Sequence, residues 1–592
     1  MIVLGLIDSK PSAAAILQDN QILAALAEER LCRMKMASGM PRQAIWQVMS
    51  DAGITAKDID AVAVAQRVSV FEPEPIPWNG WFEENAAASP RRFESVSASL
   101  APIAGYIPFA RKAHHQIKDL ISRKRLEKIP ELLYKEYGIT APVRYFDHHY
   151  CHAATAYYTS NYDKSLVVTL DGGGDGLSGS VYLGENGRLS RLSAVDSFNS
   201  LGNFYSYITH LCGFKAENHE GKITGLAALG KPIYIDILRQ FVSYQNPGRI
   251  QYRVPMYHRS ALRQIAKKLP ENFDRADLAA SVQLLLEEIG INFIRYWLQR
   301  TGIRNIAVAG GVFSNVKFNQ RVHELKEVDQ FFVHPAMDDS GLSVGGALAA
   351  LAEVPGANPA RLSQRLQNVY FGPDYSDGEI KKAIDAFGFA ATQETDITQV
   401  IGKLLAEGQV VARFTGRMEY GPRALGHRSI MYQTTDPSVN DWLNEHLRRT
   451  EFMPFAPATL VEYADQCYEG LNGARDAARF MTITFNCSAK MSAESPGVVH
   501  VDGTARPQIV DPDTAPDFYK ILTVYHGLTG IPSLINTSFN MHGEPIVCSP
   551  EDALRSFSQG KLAYLAMGNW LVSNPEAHTT SDNGRISASG KK

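Results

Sequence analysis

Residues 165–184 read SLVVTLDGGGDGLSGSVYLG. An apolar run over 165–171 predicts a buried strand, and its glycine-rich end predicts a tight turn into 178–183, which pairs with 189–195 as a hairpin. Working outward, the same order opens the chain. Residues 2–7 form an apolar strand and 8–11 a turn. Residues 13–17 and 21–27 form a hairpin around Asp19 and Asn20, 41–52 has helical periodicity, and 59–65 reads as a strand. A further strand at 306–309 ends in a glycine pair before a helix. The repeated order predicts a duplicated α/β unit.

Length and composition set the outer limits. A chain of 592 residues exceeds a single core, and 45% hydrophobic with 20% charged residues is the balance of a globular protein. Pattern divides it into a first domain over 1–353, a linker over 354–367, a second α/β domain over 368–575 and a disordered tail from 576. Periodicity fades over 347–360, where Pro355 and Pro359 stand, and the tail is small and polar. Residues 73–130 are irregular and read either as an insertion covering an edge or as a substrate-selecting lid. The net charge of −3 disfavours a general affinity for nucleic acid. The six cysteines form no CxxC pair, and neither a signal peptide nor a membrane-length apolar run is visible, so the expected location is the cytoplasm.

Several constellations carry chemistry. His148 and His152 in DHHYCHAA fall one helical turn apart, a spacing that lets two imidazoles share a metal ion. Bare HxxxH pairs are more often simply packed histidines, so a third ligand is required; Asp339 in HPAMDDSG is the candidate and Asp338 its neighbouring alternative. Asp171, Gly172, Gly173 and Gly174 after their strand, and Gly310, Gly311 and Asn315 after theirs, can bring backbone amides to a phosphate or serve as close-packing turns. Toward the C-terminus Arg413, Arg417, Arg423, Arg428, Arg448 and Arg449 cluster around turn residues, followed by Arg506 in DGTARPQ and by Ser538 and Asn540 in NTSFN. Guanidinium forks match phosphate oxygens, so this set fits a small phosphorylated anion carrying an amide; surface ion pairing is the competing account.

Taken together, LAALAEERLCRMK, DHHYCHAATA, TLDGGGDG, EGKITGLAALGKP, AGGVFSN, FTGRMEYGPRALGHRSI, EFMPFAPA, HVDGTARPQ and NTSFNMHGEPIV resemble the O-carbamoyltransferase family of the nodulation-factor, cephamycin and tobramycin type. The resemblance implies an N-terminal actin-like domain (ASKHA, duplicated RNase H-like) and a C-terminal YrdC-like α/β domain. It implies an enzyme that takes carbamoyl phosphate and ATP through carbamoyl-adenylate to the hydroxyl of a small molecule, sugar or natural product. By motif match His148, His152 and Asp339 become ligands of Fe²⁺ or another divalent metal. Asp171–Gly174, Gly310, Gly311 and Asn315 become nucleotide contacts, with Mg²⁺ admissible beside them. Arg423, Arg428, Arg449, Arg506, Ser538 and Asn540 become carbamoyl-phosphate contacts. A homodimer is compatible with the resemblance; a membrane partner is not expected.

Two departures stand out. The family carries a His-Asp-x-Ser run after its first strand, where this chain has Ser9, Lys10, Pro11 and Ser12. A lysine cannot act as the neutral-pH base without a large pKa shift, so Asp8, Glu220 or His219 is expected in that role. Met453 stands where relatives carry an arginine, with Arg448 or Arg449 as replacements, and Lys35 keeps a basic residue near phosphate. Two other readings use the same parts: threonylcarbamoyl-adenylate chemistry on tRNA, and a degenerate scaffold that binds nucleotide without turnover.

Overall fold

The computed structural model describes residues 1–68, 75, 82, 122, 124–254, 256–354, 358–438, 444–447 and 455–580. Most of the irregular 73–130 segment, Arg448, Arg449, Met453 and the tail beyond 580 lie outside the described residues. The chain divides into two compact units, one of residues 1–28 and 36–366, the other of 29–35 and 367–592.

The first unit holds two five-stranded sheets among its described residues. In the first, β1 (Ile2–Ile7), β2 (Ala13–Gln18) and β3 (Gln21–Ala27) form an antiparallel meander. Asp19 at φ 52° makes the β2–β3 turn, a left-handed position that Asp tolerates. Helix α1 (Arg42–Asp51) buries Ala44, Ile45, Val48 and Met49 at helical spacing. Its N-terminal amides of Gln43 and Ala44 donate to Glu28, a carboxylate with no exposed surface. Strand β4 (Ala61–Val64) then runs parallel to β1, and β5 (Val143–Tyr145) parallel to β4.

After α2 (His148–Ser160) the second sheet repeats this plan. Strands β6 (Lys164–Gly174), β7 (Leu177–Glu185) and β8 (Arg188–Asp196) form the meander, closed between β7 and β8 by Asn186-Gly187 at φ 53° and 74°. Helices α3 (Leu201–Leu211), α4 (Glu220–Ala227) and α5 (Arg275–Thr301) follow. Strand β9 (Asn305–Ala309) lies parallel to β6, α6 (Val316–His323) follows it, and β10 (Gln330–Val333) lies parallel to β9. The orders β3-β2-β1-β4-β5 and β8-β7-β6-β9-β10 are the same fold written twice, the duplicated actin-like architecture.

The final helix of each half covers the other half's sheet. Helix α2 follows β5 yet packs on β6 and β9, and α7 (Leu342–Ala352) follows β10 yet packs on β1, β2 and β4. The two helices also pack on each other. Leu342–Leu351 is buried on every side, which removes the polar face that periodicity depends on. This is why periodicity fades from 347 in the sequence, although the helix runs on to Ala352. Beyond it a short helical turn, Pro359–Leu362, leads to Gln364 and Leu366, whose amides donate to the carbonyls of Tyr158 and Thr159 in α2.

The second unit is built on an eight-stranded sheet among its described residues. Its strands are β11 (Ala391–Gln393), β12 (Val411–Phe414), β13 (Arg428–Gln433), β14 (Ala456–Leu460), β15 (Gln508–Val510), β16 (Ser533–Ser538), β17 (Tyr564–Met567) and β18 (Trp570–Ser573). They lie in the order β11-β18-β17-β12-β13-β16-β14-β15. Helices α8 (Ile397–Ala406) and α9 (Pro516–Thr529) cover one face, with Ile401, Leu405, Phe518, Ile521 and Leu522 in the core. Segment 29–35 belongs to this unit. Arg33 donates to the carbonyls of Pro545 and Ile546 at 2.7 Å each and sits 3.4 Å from Asp552, and Arg30 donates to Gly421 at 3.0 Å. The chain continues through Pro575–Thr580 as a short helix, where the sequence reading places a disordered tail from 576. Among the described residues no helix is long and apolar enough to cross a membrane.

The α2–α7 contact has no room for a side chain at Gly345. A Cβ there would lie 2.2 Å from the carbonyl oxygen of Cys151. Gly345→Ala should therefore destabilise the protein by about 1–3 kcal/mol, read as a lower thermal midpoint. Gly527→Ala, at an exposed position of α9 with nothing within 4 Å, should be neutral or slightly stabilising.

Candidate metal and transfer site

The site lies where strand ends from both sheets of the first unit meet the N-termini of α2 and α7. Asp147 caps α2 by accepting from the Tyr150 amide at 2.9 Å, and Asp175 accepts from the His148 amide at 2.8 Å. Two carboxylates at one helix N-terminus suit its partial positive charge. Asp175 also accepts from the amides of Arg67 and Val68, so it ties the β4 end to the β6–β7 turn. Burial raises its pKa despite these donors and the nearby His148.

His148 and His152 project from one face of α2 as expected, with ring centroids 4.8 Å apart. Their Nε2 atoms lie 3.6 and 3.5 Å from Asp339 Oδ1, and 3.1 and 3.5 Å from Asp171 Oδ2. Asp338 instead caps the turn Asp339–Gly341 by accepting from Ser340, which leaves Asp339 as the residue facing the imidazoles. Asp171, read from sequence as a nucleotide contact, belongs to this cluster. The four ligand atoms lie within 4.8 Å of one another. A Cβ at Gly174 would sit 2.2 Å from the His148 ring, so the glycine-rich turn also clears space for that ligand.

Charge distribution fits a cation. Among the described residues Nδ1 of the fully buried His152 has no hydrogen-bond partner, and its Nε2 faces only the two carboxylates at 3.5 Å, longer than an ordinary hydrogen bond, an expensive arrangement unless something else bonds them. Burial opposes charge on His148, but Asp339 and Asp171 outweigh it and hold its pKa up to about 9. Asp171 is driven well below the usual carboxylate range by the two imidazoles, which overcome its own burial. His149, facing Thr169 at 2.9 Å, is held neutral by burial and by the neighbouring imidazoles. Two imidazoles with two carboxylates form a donor set suited to a divalent transition metal. Such an ion would displace the proton that the carboxylates favour on His148, so binding at pH 7 should release protons and weaken as pH falls. Titration calorimetry in buffers of different ionisation enthalpy measures this release. His152→Ala should lose the ion, and undiminished metal content in that variant would sink the assignment.

Around the cluster, Asp171 Oδ1 accepts from the amides of Gly172 at 2.7 Å and Gly311 at 3.2 Å. The two glycine-rich turns are thus brought together, and Gly310 holds φ 107° with its Cα against the Leu170 carbonyl. Asn315, expected at the nucleotide, caps α6 by accepting from the Phe318 amide and donates to Gln283 at 2.7 Å. Asp8 is buried at the end of β1. Glu220, at the start of α4, accepts from Ser206 at 2.7 Å and from the Glu217 amide at 2.5 Å, both on Oε1, and burial raises its pKa. Ser206 lies one turn along α3 from Gly202, which is packed against the Asp171 backbone. His219 Nδ1 accepts from the Lys215 amide. Lys35 is an exposed residue of the second unit.

In the second unit the three long C-terminal motifs converge. Strands β13 and β16 pair Ser429 with Ser538, and Asn536 donates to Gln508 at 2.7 Å while Gln508 donates to the Leu425 carbonyl at 2.9 Å. The buried Glu419 Oε1 accepts from the amides of Leu425, His427 and Arg428, which shapes the turn that presents Arg423. Arg428, expected on carbamoyl phosphate, is fully buried; its terminal nitrogens donate to the carbonyls of Thr415, Gly416 and Pro373 and its carbon lies 3.8 Å from the Phe414 ring centre. Asn540 likewise donates to Met541 and Glu544 in its own loop. Arg423, Arg506 and Ser538 are partly exposed, and Arg449 lies outside the described residues.

Comparison with known proteins agrees with this division. Residues 3–348 match the pattern described as carbamoyltransferase N-terminus, and 402–574 that described as carbamoyltransferase C-terminus. Nodulation protein NolNO of Sinorhizobium fredii is 31% identical over 95% of this chain and 78% of its own length. Nodulation protein NolO of Bradyrhizobium diazoefficiens is 34% identical over 72% of this chain and 78% of its own. Among solved structures, full-length HypF in a phosphate- and nucleotide-bound form aligns over 60% of this chain and 56% of its own, at 13% identity and a TM-score of 0.34. With N- and C-terminal patterns matched in order along one chain, this protein belongs to the carbamoyltransferase family.

Proposed function

We propose that this carbamoyltransferase consumes carbamoyl phosphate and ATP, forms carbamoyl-adenylate, and transfers the carbamoyl group to a hydroxyl of a small molecule or sugar. The observation that carries the reading is the buried His148, His152, Asp171 and Asp339 cluster flanked by two glycine-rich turns, in a chain of this family. Water releases phosphate from carbamoyl phosphate to leave carbamate. A carbamate oxygen then attacks the α-phosphorus of ATP and pyrophosphate departs. Finally the acceptor oxygen attacks the carbamoyl carbon, AMP leaves with the bonding pair, and the hydroxyl proton passes to a base.

Activation is assigned to the second unit. Arg423 and Arg506 neutralise the phosphate that must leave, and Ser538 bonds the carbamoyl group. Arg428 supports that site from beneath by fixing the backbone at 415–416. Transfer is assigned to the first unit. The amides of the turns at 171–174 and 310–311 receive nucleotide phosphate. A divalent ion, iron in the family reading, held by the four-residue cluster would polarise the carbamoyl carbonyl. Glu220 is the base: its Oε1 is fixed by two donors, Oε2 takes no hydrogen bond from another described residue, and burial raises its proton affinity toward working pH.

Incubation of the protein with ATP and carbamoyl phosphate should yield AMP that depends on both. AMP formed only with threonine and bicarbonate would replace this reading by threonylcarbamoyl chemistry. Arg506→Ala should raise the KM for carbamoyl phosphate about 10- to 100-fold, the worth of one charge-assisted hydrogen bond. Unchanged kinetics would place the phosphate elsewhere.

A further inference from the structure

Lys10 stands in the turn between β1 and β2, and its ammonium pairs with the Glu217 carboxylate, 207 residues away in sequence. Both side chains are mostly shielded, 21% and 12% exposed, so the pair escapes much of the screening that weakens surface ion pairs. Glu217 is also unusual in its backbone: it holds φ 65°, a left-handed conformation that a glutamate adopts only when its surroundings impose it. In that conformation its amide points at Glu220 Oε1, 2.5 Å away. The second donor to the same oxygen is the Ser206 hydroxyl on α3.

We infer that Lys10 is a positioning residue for the transfer step: its ion pair fixes the Glu217 backbone, which holds Glu220 Oε1 and keeps Oε2 available for the acceptor's proton. The inference rests on the reading of Glu220 as the base. Loss of the Lys10 charge loosens the Glu217 loop, weakens one of the two donors to Oε1 and removes a positive charge that offsets Glu217 beside Glu220. All three changes favour the protonated carboxyl. Among the described residues, Glu220 shares its own helix and loop with His219 and Lys222 and lies near Tyr205 on α3, none of which changes in the substitution.

The test uses the full-length protein with carbamoyl phosphate and ATP, water serving as acceptor. Water attacks the carbamoyl carbon of the adenylate, the bond to the AMP oxygen breaks, the proton goes to Glu220, and carbamate and AMP result. AMP release is followed between pH 5 and 9, and carbamoyl-phosphate-dependent exchange of pyrophosphate into ATP reports the activation step alone. Lys10→Met should lower AMP release at neutral pH about tenfold, a fraction of what a base contributes. It should also move the acid limb of the profile to higher pH and leave the exchange rate intact. Lys10→Arg should restore both limb and rate. General damage to the fold would depress exchange as well. Lys10→Gln, which keeps a hydrogen bond to Glu217 without the charge, should shift the limb in the same sense by less, and it decides the matter if Lys10→Met does not fold. An unmoved limb and rate in the folded variants overturns the role of Lys10. Glu220→Gln that keeps the acid limb overturns the base assignment instead, and absence of AMP from the unaltered protein overturns the donor chemistry.

Discussion

Asp171 uses its two carboxylate oxygens for different purposes. Oδ1 gathers the amides of Gly172 and Gly311, and Oδ2 faces the imidazoles of His148 and His152. The first contact joins the ends of β6 and β9; the second joins that sheet to α2, which arrives from the other half of the duplication. Geometry of the cluster, closeness of the two glycine-rich turns and seating of α2 therefore share one side chain. Its position is in turn fixed by Ser200, whose hydroxyl donates to the Asp171 carbonyl at 3.0 Å. A carboxylate so placed stays ionised because two imidazoles outweigh its burial, and its charge raises the proton affinity of His148. The cluster is thus electrostatically ready for a cation before one arrives.

The second unit has a comparable anchor of opposite use. Glu419 is buried, its Oε1 accepts from three backbone amides, and its charge also favours the buried Arg413 and Arg428 in their protonated form. Those arginines divide accordingly. Arg413 and Arg428 are buried and donate to carbonyls, while Arg423 and Arg506 keep some exposure. A cluster of guanidiniums in sequence is therefore two populations in space, one building the frame and the other keeping some exposure to solvent.

Much of this was legible in the chain itself. Alternation and turn residues disclosed both meanders, and i, i+4 spacing placed His148 and His152 on one face, because these features depend on local geometry. What escaped was set by distant partners. Asp171 looked like a phosphate residue because its neighbours are glycines, and only the arrival of α2 and of the turn before α7 brings it to the histidines. Helix α7 loses its signature from 347 onward because burial on all sides erases the periodicity by which helices are found. That Arg428 and Asn540 donate to carbonyls is not visible in sequence, which does not distinguish a donor facing a carbonyl from one facing a substrate. The Lys10–Glu217 pair carries no local signal, since its partners come from separate halves of the duplication.

The strap at 29–35 bears on how the chain comes to be folded at birth. Arg33 needs the carbonyls of Pro545 and Ile546, and 513 residues separate Arg33 from Ile546. At roughly 5–20 residues per second of synthesis, about half a minute to two minutes pass between the emergence of one and of the other. Over that interval Glu29, Arg30 and Arg33, all largely covered in the finished protein, stand in water beside a first sheet that also waits for Leu342–Ala352 to cover it. The hydrophilic character of this early segment suits the delay: a strap of charges can wait in solvent, where an apolar one would invite aggregation.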